Sequence, residues 1–77
     1  MNFETVKTLK GEFVVILEET KDGGYLCVYP KGEQIILAPT ELDQDSFSEY
    51  SEDDMRVTIK QRQALKNYFP DDFSKVA

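Results

Sequence analysis

The strongest hydrophobic pattern of the chain lies in residues 12–20, EFVVILEET. Five apolar side chains follow one another there without a polar interruption, from Phe13 to Leu17. A continuous apolar run of this length is typical of a β-strand that is buried on both faces. We therefore predict that this segment is the central strand of a sheet.

Two turn signals follow this strand. Residues 22–24, Asp-Gly-Gly, allow positive φ at little cost, as hairpin turns require. In the second turn, Pro30 presets φ for the first central position of a type I turn, and Gly32 suits the left-handed residue of a bulge. Residues 33–38, EQIILA, come next and are the predicted third strand. The pattern predicts two successive hairpins, which form a three-stranded antiparallel meander.

The strand between the two turns, residues 25–29, has two different faces. Alternation places Leu26 and Val28 on one face and three other side chains on the opposite one: Tyr25, Cys27 and Tyr29. This trio is core if the predicted C-terminal helix covers this face and an exposed aromatic patch if it does not. We favour the core, because both faces of the preceding strand are predicted to be buried.

The N-terminal residues 2–10 fit two interpretations. Phe3, Val6 and Leu9 have helical spacing, with Asn2 as a cap and Gly11 as a stop. The same residues also fit a strand that enters the sheet. The helix is the preferred interpretation.

The C-terminal third predicts a strand followed by a helix. Residues 55–60, MRVTIK, alternate apolar and polar positions with β-branched side chains, as in a strand. The competing interpretation is one helix over residues 52–69, but Gln61 would then interrupt its apolar stripe. We therefore predict a short helix after the strand, ended by Pro70, with four side chains facing inward: Ala64, Leu65, Tyr68 and Phe69.

Together these elements predict an α+β fold in a single domain, residues 1–77. It is a small antiparallel β-meander of three to four strands with a C-terminal helix. An SH3-like partial barrel is one form that such a meander takes.

Residues 41–54, ELDQDSFSEYSEDD, hold seven carboxylates and no positive charge. We interpret this segment as a surface loop that can include one helical turn. Asp43, Asp45 and Asp54 match part of the spacing of an EF-hand calcium loop. Ser48 stands where that loop needs glycine, and Asp54 where it needs the longer glutamate, so no metal site is predicted.

The amino-acid composition limits the catalytic and metal-binding sites that the chain can form. The chain has no histidine and a single cysteine, Cys27. These two facts exclude serine triads, Cys-His dyads, internal disulfides and multi-cysteine zinc sites within one chain. We therefore expect a protein that is not an enzyme and that needs no cofactor.

The charge balance favours a protein partner. Fifteen Asp and Glu against nine Lys and Arg give a net charge of -6, which repels nucleic acid and anionic membranes and attracts basic proteins. No apolar run is long enough for a membrane span, and the N-terminus lacks the apolar region of a signal peptide. With its lone cysteine, the chain is expected in the cytoplasm.

The predicted partner-binding surface combines the acidic segment with neighbouring aromatic rings. Carboxylates steer a basic partner, while desolvated rings supply affinity. The residues assigned to it are Tyr25, Tyr29, Asp43, Asp45, Phe47, Glu49, Tyr50, Glu52, Asp53 and Asp54. Phe47 and Tyr50 alternatively fold back onto the sheet to complete the core.

This surface predicts a small regulator of the inhibitor, antitoxin, immunity or adaptor type. A first alternative is a homodimer that joins free sheet edges and forms a ligand-binding or enzymatic site between its subunits. The second is nucleic-acid binding through a basic cluster within residues 56–66, although net charge disfavours it. That cluster, which otherwise neutralises the acidic segment, contains Arg56, Lys60, Arg62 and Lys66.

Two short resemblances accompany these patterns. Residues 13–30, FVVILEETKDGGYLCVYP, resemble the opening hairpin of HicB-type antitoxins, in which an Asp-Gly-Gly-Tyr turn joins two strands. That family continues with a Pro-Gly segment and an acidic helix, whereas residues 31–44 here predict a third strand. KGEFVVILEE, a glycine turn and APTEL are similar to small SH3-like barrels.

Overall fold

The computed structural model describes residues 2–51 and 56–69 of the chain. It contains an antiparallel sheet, two short 3-10 turns at residues 39–41 and 44–46, and a C-terminal helix. The α+β prediction is therefore confirmed. The elements are β1 (Asn2–Lys7), β2 (Phe13–Glu19), β3 (Tyr25–Val28), β4 (Gln34–Leu37), β5 (Ser48–Ser51) and α1 (Ile59–Tyr68).

The sheet has five strands in the order β4-β3-β2-β1-β5, and each neighbouring pair is antiparallel. The first four strands form a meander, and β5 returns to pair with the outer side of β1. The predicted central strand is confirmed, because β2 lies third of five. Within the described part of the chain the sheet is open, with β4 and β5 as its two edges.

Three consecutive hairpins use the same five-residue turn, at residues 8–12, 20–24 and 29–33. In each, the first N–H donates to the fifth carbonyl at 2.8 Å, and the fourth residue is a glycine with φ of 85° to 96°. A side chain at this φ would be strained, so the repeated glycine is a backbone requirement. The two predicted turns, at residues 20–24 and 29–33, are confirmed. The turn at residues 8–12 was not predicted.

The preferred helix over residues 2–10 is wrong, and the strand alternative is correct. Phe3 lies in the core on the helix side of the sheet, whereas Val6 lies in the core on the opposite side. A spacing of three residues changes face in a strand, and here both faces are covered. Leu9, the third member of the helical pattern, sits in a turn and is 69% exposed.

The predicted strand over residues 55–60 is also wrong in its described part. Residues 56–58 form no strand, and α1 begins at Ile59, whose side chain is 83% exposed. Thr58 caps the helix, because its Oγ1 accepts the Gln61 N–H at 3.1 Å and its own N–H donates to Gln61 Oε1 at 3.0 Å. Met55 lies outside the described residues.

The acidic segment is more ordered than the predicted loop. Its described part contains the end of the first 3-10 turn, the whole of the second and the edge strand β5. The sequence SEYS of β5 pairs with the start of β1, where Phe3 lies opposite Tyr50. The interpretation as a surface loop with one possible helical turn fits residues 41–47, which contain one complete 3-10 turn, and is wrong for residues 48–51, which form β5.

Two separate cores lie on the two faces of the sheet. On the face covered by α1 the buried residues are Phe3, Val15, Leu17, Val28, Val57, Ala64 and Leu65. The opposite core contains Val6, Val14, Ile16, Cys27, Leu37 and Leu42. Its cover is residues 38–47, which bring Leu42 and Phe47 over the sheet.

α1 packs through a mixed apolar and polar face. Ala64 and Leu65 are buried and Phe69 is half-buried, as predicted, but Tyr68 is 38% exposed and does not point into the core. Gln61, which was expected to interrupt the stripe, is fully buried. Its amide donates to the carbonyls of Phe13 and Val28, each at 3.0 Å.

Candidate partner-binding surface

The structure divides the predicted aromatic residues between the two faces of the sheet. Tyr25 and Phe47 pack together on the face away from α1, with ring centroids 5.7 Å apart. Tyr50 packs against Phe13 on the helix face at 5.6 Å. All are partly buried, as expected if Phe47 and Tyr50 complete the core. The predicted residues therefore do not form a single aromatic patch.

The Tyr25-Cys27-Tyr29 face is core, as favoured, although a different element covers it. Residues 38–47 lie over it instead of the helix, and Cys27 is fully buried while both tyrosines keep part of their surface exposed. Burial raises the pKa of the Tyr29 phenol, and the nearby Glu12 carboxylate adds to this effect. Tyr29 directly follows the C-terminal end of β3, whereas Tyr25, whose ring packs against Phe47, lies at the N-terminal end.

The predicted carboxylates have different local roles. Asp43 caps the second 3-10 turn, since its Oδ1 accepts the Asp45 N–H at 3.1 Å. Asp45 and Glu49 are exposed. The other three predicted carboxylates lie outside the described residues: Glu52, Asp53 and Asp54.

Glu49 and Tyr25 help to line a depression of about 310 Å³ at the end of the sheet where β1 begins and β2 ends. Four exposed glutamates surround it, and none of its lining residues is basic. We call this site the acidic depression. Its lining residues are Phe3, Glu4, Ile16, Leu17, Glu18, Glu19, Tyr25, Glu49 and Phe69.

Two of these glutamates lie directly opposite each other. Glu4 of β1 pairs with Glu49 of β5 in the antiparallel register. Like charges at directly opposite positions destabilise a sheet by roughly a few tenths of a kcal/mol. The pairing therefore costs stability, and a cation that bound there would relieve the repulsion.

A β-bulge brings the other two glutamates to the depression. The register of β2 against β3 shifts between Ile16 and Glu18, after which Glu19 lies opposite Tyr25. Tyr68 of α1 reaches the same region, where a hydrogen bond to the Glu18 carboxylate raises the pKa of the Tyr68 phenol. The bulge thus places carboxylates beside aromatic side chains at the rim.

Glu49 and Tyr25 were among the predicted binding residues, whereas Glu4, Glu18 and Glu19 were not. These three are isolated from the acidic segment along the chain, and they converge with Glu49 only because β5 pairs with β1. The available signal was the pair Glu18-Glu19 at the end of an apolar run. It did not reveal the partner strand.

The basic cluster contacts the acidic segment through an aromatic ring. The Arg56 guanidinium carbon lies 3.9 Å from the centroid of the Tyr50 ring, a cation–π distance. Lys60 and Lys66 are exposed on α1, and Arg62 is half-buried. Lys60 lies alongside Gly32 in the turn before β4.

Cys27 has the properties of a structural thiol. Burial raises the pKa of the Cys27 thiol to about 11, and the Sγ–H donates to the Tyr25 carbonyl at 3.5 Å. A nucleophile needs the thiolate, which this environment disfavours. Within residues 2–51 and 56–69, no group of three or more Cys, Asp or Glu side chains is arranged to hold a metal ion.

Comparison with known proteins gives no assignment: no protein family, curated protein or solved structure matches the chain. In the part of the chain that the structure describes, no helix combines the length and apolarity needed to cross a bilayer.

Proposed function

We propose that this chain is a non-catalytic protein-binding module that recognises a basic segment of a protein partner through the acidic depression. The observation that carries the proposal is the direct pairing of Glu4 with Glu49, in a depression that Glu18 and Glu19 also line. Repulsion held in place by strand pairing favours binding of a Lys or Arg side chain. In a cell, such a module acts as an inhibitor, antitoxin, immunity or adaptor subunit, and its lone buried Cys27 suits the reducing cytoplasm.

The aromatic side chains supply the second part of the proposed recognition. Tyr25 and Phe69, which are both partly exposed, line the same depression as the glutamates. Charged groups mainly steer the encounter, whereas rings that lose water on binding contribute most of the affinity. The partner segment that fits this lining has a cationic side chain next to an apolar one.

The test uses a fluorescent peptide of alternating lysine and leucine as the probe. The double variant Glu4→Gln/Glu49→Gln removes the paired charges, and Glu12→Gln/Glu33→Gln removes the same number of exposed charges from turns outside the depression. We expect the first variant to raise Kd about tenfold, as the loss of two partly screened ion pairs predicts. The control should change Kd by less than about twofold at the same ionic strength.

Fluorescence anisotropy at several salt concentrations measures both effects. Equal loss of binding in the two variants would show that only net charge matters and would refute the depression as the site. Urea unfolding of the Glu4→Gln/Glu49→Gln variant should show unchanged or slightly higher stability, because a like-charge pair is removed. Weaker binding then cannot be attributed to misfolding.

A further inference from the structure

The edge strand β4 lacks the usual protection against pairing with another chain. Its four residues, Gln34–Leu37, carry no charge and no proline. Ile35 is 41% exposed and Ile36 is 64% exposed. Natural proteins commonly place charges, prolines or bulges on such edges because an open strand is a template for strand addition.

The outward-facing backbone groups of β4 can be assigned from the turn that precedes it. The Tyr29 N–H donates to the Glu33 carbonyl, so alternate residues from Glu33 onward face β3. Ile35 and Leu37 therefore bond inward, while the N–H and C=O groups of Gln34 and Ile36 point away from the sheet. The next outward N–H, that of Ala38, already donates to the Glu41 carboxylate at 2.8 Å.

The two ends of this edge carry opposite charge. At the N-terminal end, Lys31 and Lys60 line a depression of about 270 Å³ that also contacts Gln34, and their two positive charges outnumber the single negative charge of the exposed Glu33 beside Gln34. At the C-terminal end, Asp22 and Glu41 line a depression of about 340 Å³ beside Ile36. Antiparallel pairing of two identical edges brings each basic end to the acidic end of the other copy.

We infer that β4 pairs antiparallel with β4 of a second copy of this chain, around a two-fold axis at Ile35, and joins the two sheets into one. In this register Gln34 lies opposite Ile36 of the second copy. Both outward residues of each chain then form hydrogen-bonded pairs, and no outward N–H or C=O of Gln34 or Ile36 remains unused. The two Ile35 side chains meet at the axis.

The second copy is the occupant that the charges favour. An interface with two-fold symmetry must be complementary to itself, and an edge that is basic at one end and acidic at the other meets this condition. An unrelated basic strand would be attracted to the acidic end only and repelled at Lys31 and Lys60. The net charge of -6 opposes association of two copies in any orientation, so the strand pairing and the charges at the ends of β4 must offset this repulsion.

Sedimentation equilibrium over a wide concentration range tests the association. Ile36→Lys places a charge on the exposed edge, and Ile59→Lys makes the same change at an exposed isoleucine of α1. We expect Ile36→Lys to raise the dimer dissociation constant at least about tenfold, because edge charges oppose strand addition. The Ile59→Lys variant should match the wild type. A strictly monomeric wild type, or equal effects of the two variants, would overturn the inference.

A charge swap tests the orientation without altering β4. The variant Lys31→Glu/Lys60→Glu makes both ends of the edge acidic. The second variant, Asp22→Lys, replaces a negative charge at the C-terminal end by a positive one. Glu41 stays intact because it accepts the Ala38 N–H. Each variant alone should dimerise more weakly than wild type, whereas a mixture of the two should form heterodimers. Failure of the mixture to associate better than either variant alone would refute the antiparallel arrangement.

The register can be checked by cross-linking. Under mild oxidation, Ile35→Cys should form an intermolecular disulfide rapidly, because residues opposite at the axis have Cα atoms close enough for a disulfide. Ile36→Cys should react much more slowly, since its counterpart is displaced along the strand. The native Cys27 is buried and does not interfere. Faster linkage through position 36 would refute the axis at Ile35.

Discussion

The two faces of the sheet are both covered, but by elements of very different regularity. One face lies under α1, whose apolar positions repeat with helical spacing. The other lies under residues 38–47, which contain only two short 3-10 turns and isolated apolar anchors. Because β2 is apolar on both sides, a chain of 77 residues must build both covers. Both apolar faces of β2 are therefore buried, one by a regular helix and the other by an irregular segment.

The covers also differ in how they are attached. α1 is attached through the side chain of Gln61, which donates to two sheet carbonyls. The irregular cover is attached mainly to the end of β1, where the Asp43 N–H donates to the Lys7 carbonyl at 2.9 Å and the Lys7 N–H donates to Ser46 Oγ at 2.8 Å. The first attachment is a buried side chain and the second is largely exposed. Exposed hydrogen bonds open more readily, so the irregular cover should be the less stable of the two.

The largest expected effect comes from truncating one leucine under each cover. Leu65 is fully buried beneath α1, and Leu42 is 2% exposed in the irregular cover. We expect Leu65→Ala to lower the free energy of unfolding by about 3 to 5 kcal/mol and Leu42→Ala by about 2 to 3 kcal/mol. The cost falls when neighbouring groups collapse into the cavity, and an irregular segment adjusts more easily than a packed helix.

Urea unfolding measures both variants, and amide hydrogen exchange locates the change. Leu42→Ala should increase exchange of the Leu9 and Asp43 amides, which bond between the cover and the end of β1. The amides of α1 should keep their relative protection in that variant. If Leu42→Ala lowered the free energy of unfolding as much as Leu65→Ala or more, the irregular cover would collapse into a cavity no more easily than the helix does.

The helical cover and the meander were predictable because their signals are local. The apolar run of β2, the glycines at turn positions 23 and 32, and the pair Ala64 and Leu65 indicate structure within a few residues. The N-terminal strand was missed because its alternation is hidden: Phe3 and Val6 face opposite covered sides, and their spacing imitates a helix. A strand with both faces covered loses the pattern that distinguishes strand from helix.

The irregular cover and the acidic depression were not predictable, because both depend on contacts between distant residues. Leu42 has no periodic neighbours, so nothing nearby in sequence marks it as an anchor. Glu4 and Glu49 meet only through the pairing of β5 with β1, across 45 positions of the chain. Gln61 was misjudged for a similar reason, since its polar partners are carbonyls of β2 and β3.

A smaller effect tests how α1 is attached. Continuing the register of β2 and β3 places Phe13 opposite Pro30, which has no N–H to donate to the Phe13 carbonyl. Gln61 supplies this missing donor. Replacing it by a leucine of similar size leaves the Phe13 carbonyl and the Thr58 N–H without their side-chain partner, so we expect Gln61→Leu to destabilise the fold by about 2 to 3 kcal/mol.

The matched control is Gln63→Leu, two residues further along α1 and exposed. It should change the free energy of unfolding by less than about 0.5 kcal/mol, as surface substitutions usually do. Urea unfolding of both variants is the measurement. If Gln61→Leu and Gln63→Leu had similar free energies of unfolding, the hydrogen bonds of the Gln61 amide would not contribute to stability. Apolar contacts alone would then hold α1 on the sheet.

The smallest effect concerns the thiol under the irregular cover and depends on pH. Burial raises the pKa of Cys27 from 9.0 to about 11 in the folded protein. The unfolded chain therefore loses this proton near pH 9, while the folded protein keeps it until about pH 11. By proton linkage, the contribution of Cys27 to stability is complete below pH 9 and is lost as the pH rises through that window. The loss is about 1.4 kcal/mol at pH 10 and approaches about 2.7 kcal/mol above pH 11.

Cys27→Val removes this titration while preserving an apolar side chain of similar size. Tyr68, whose pKa is also raised, has no contribution from Cys27 and remains in both proteins, so its titration cancels in the comparison. The charge of the Cys27 thiolate is one of the causes that raise the pKa of Tyr29, so the comparison includes this coupling, which changes the stability of wild type in the same direction. We expect wild type to lose stability relative to Cys27→Val across that pH window, as measured by urea unfolding at a series of pH values. If the free energy of unfolding changed with pH equally in wild type and Cys27→Val, the thiol would ionise as readily in the folded state as in the unfolded chain. Water then reaches Cys27, and the irregular cover seals its face less well than α1 seals the other.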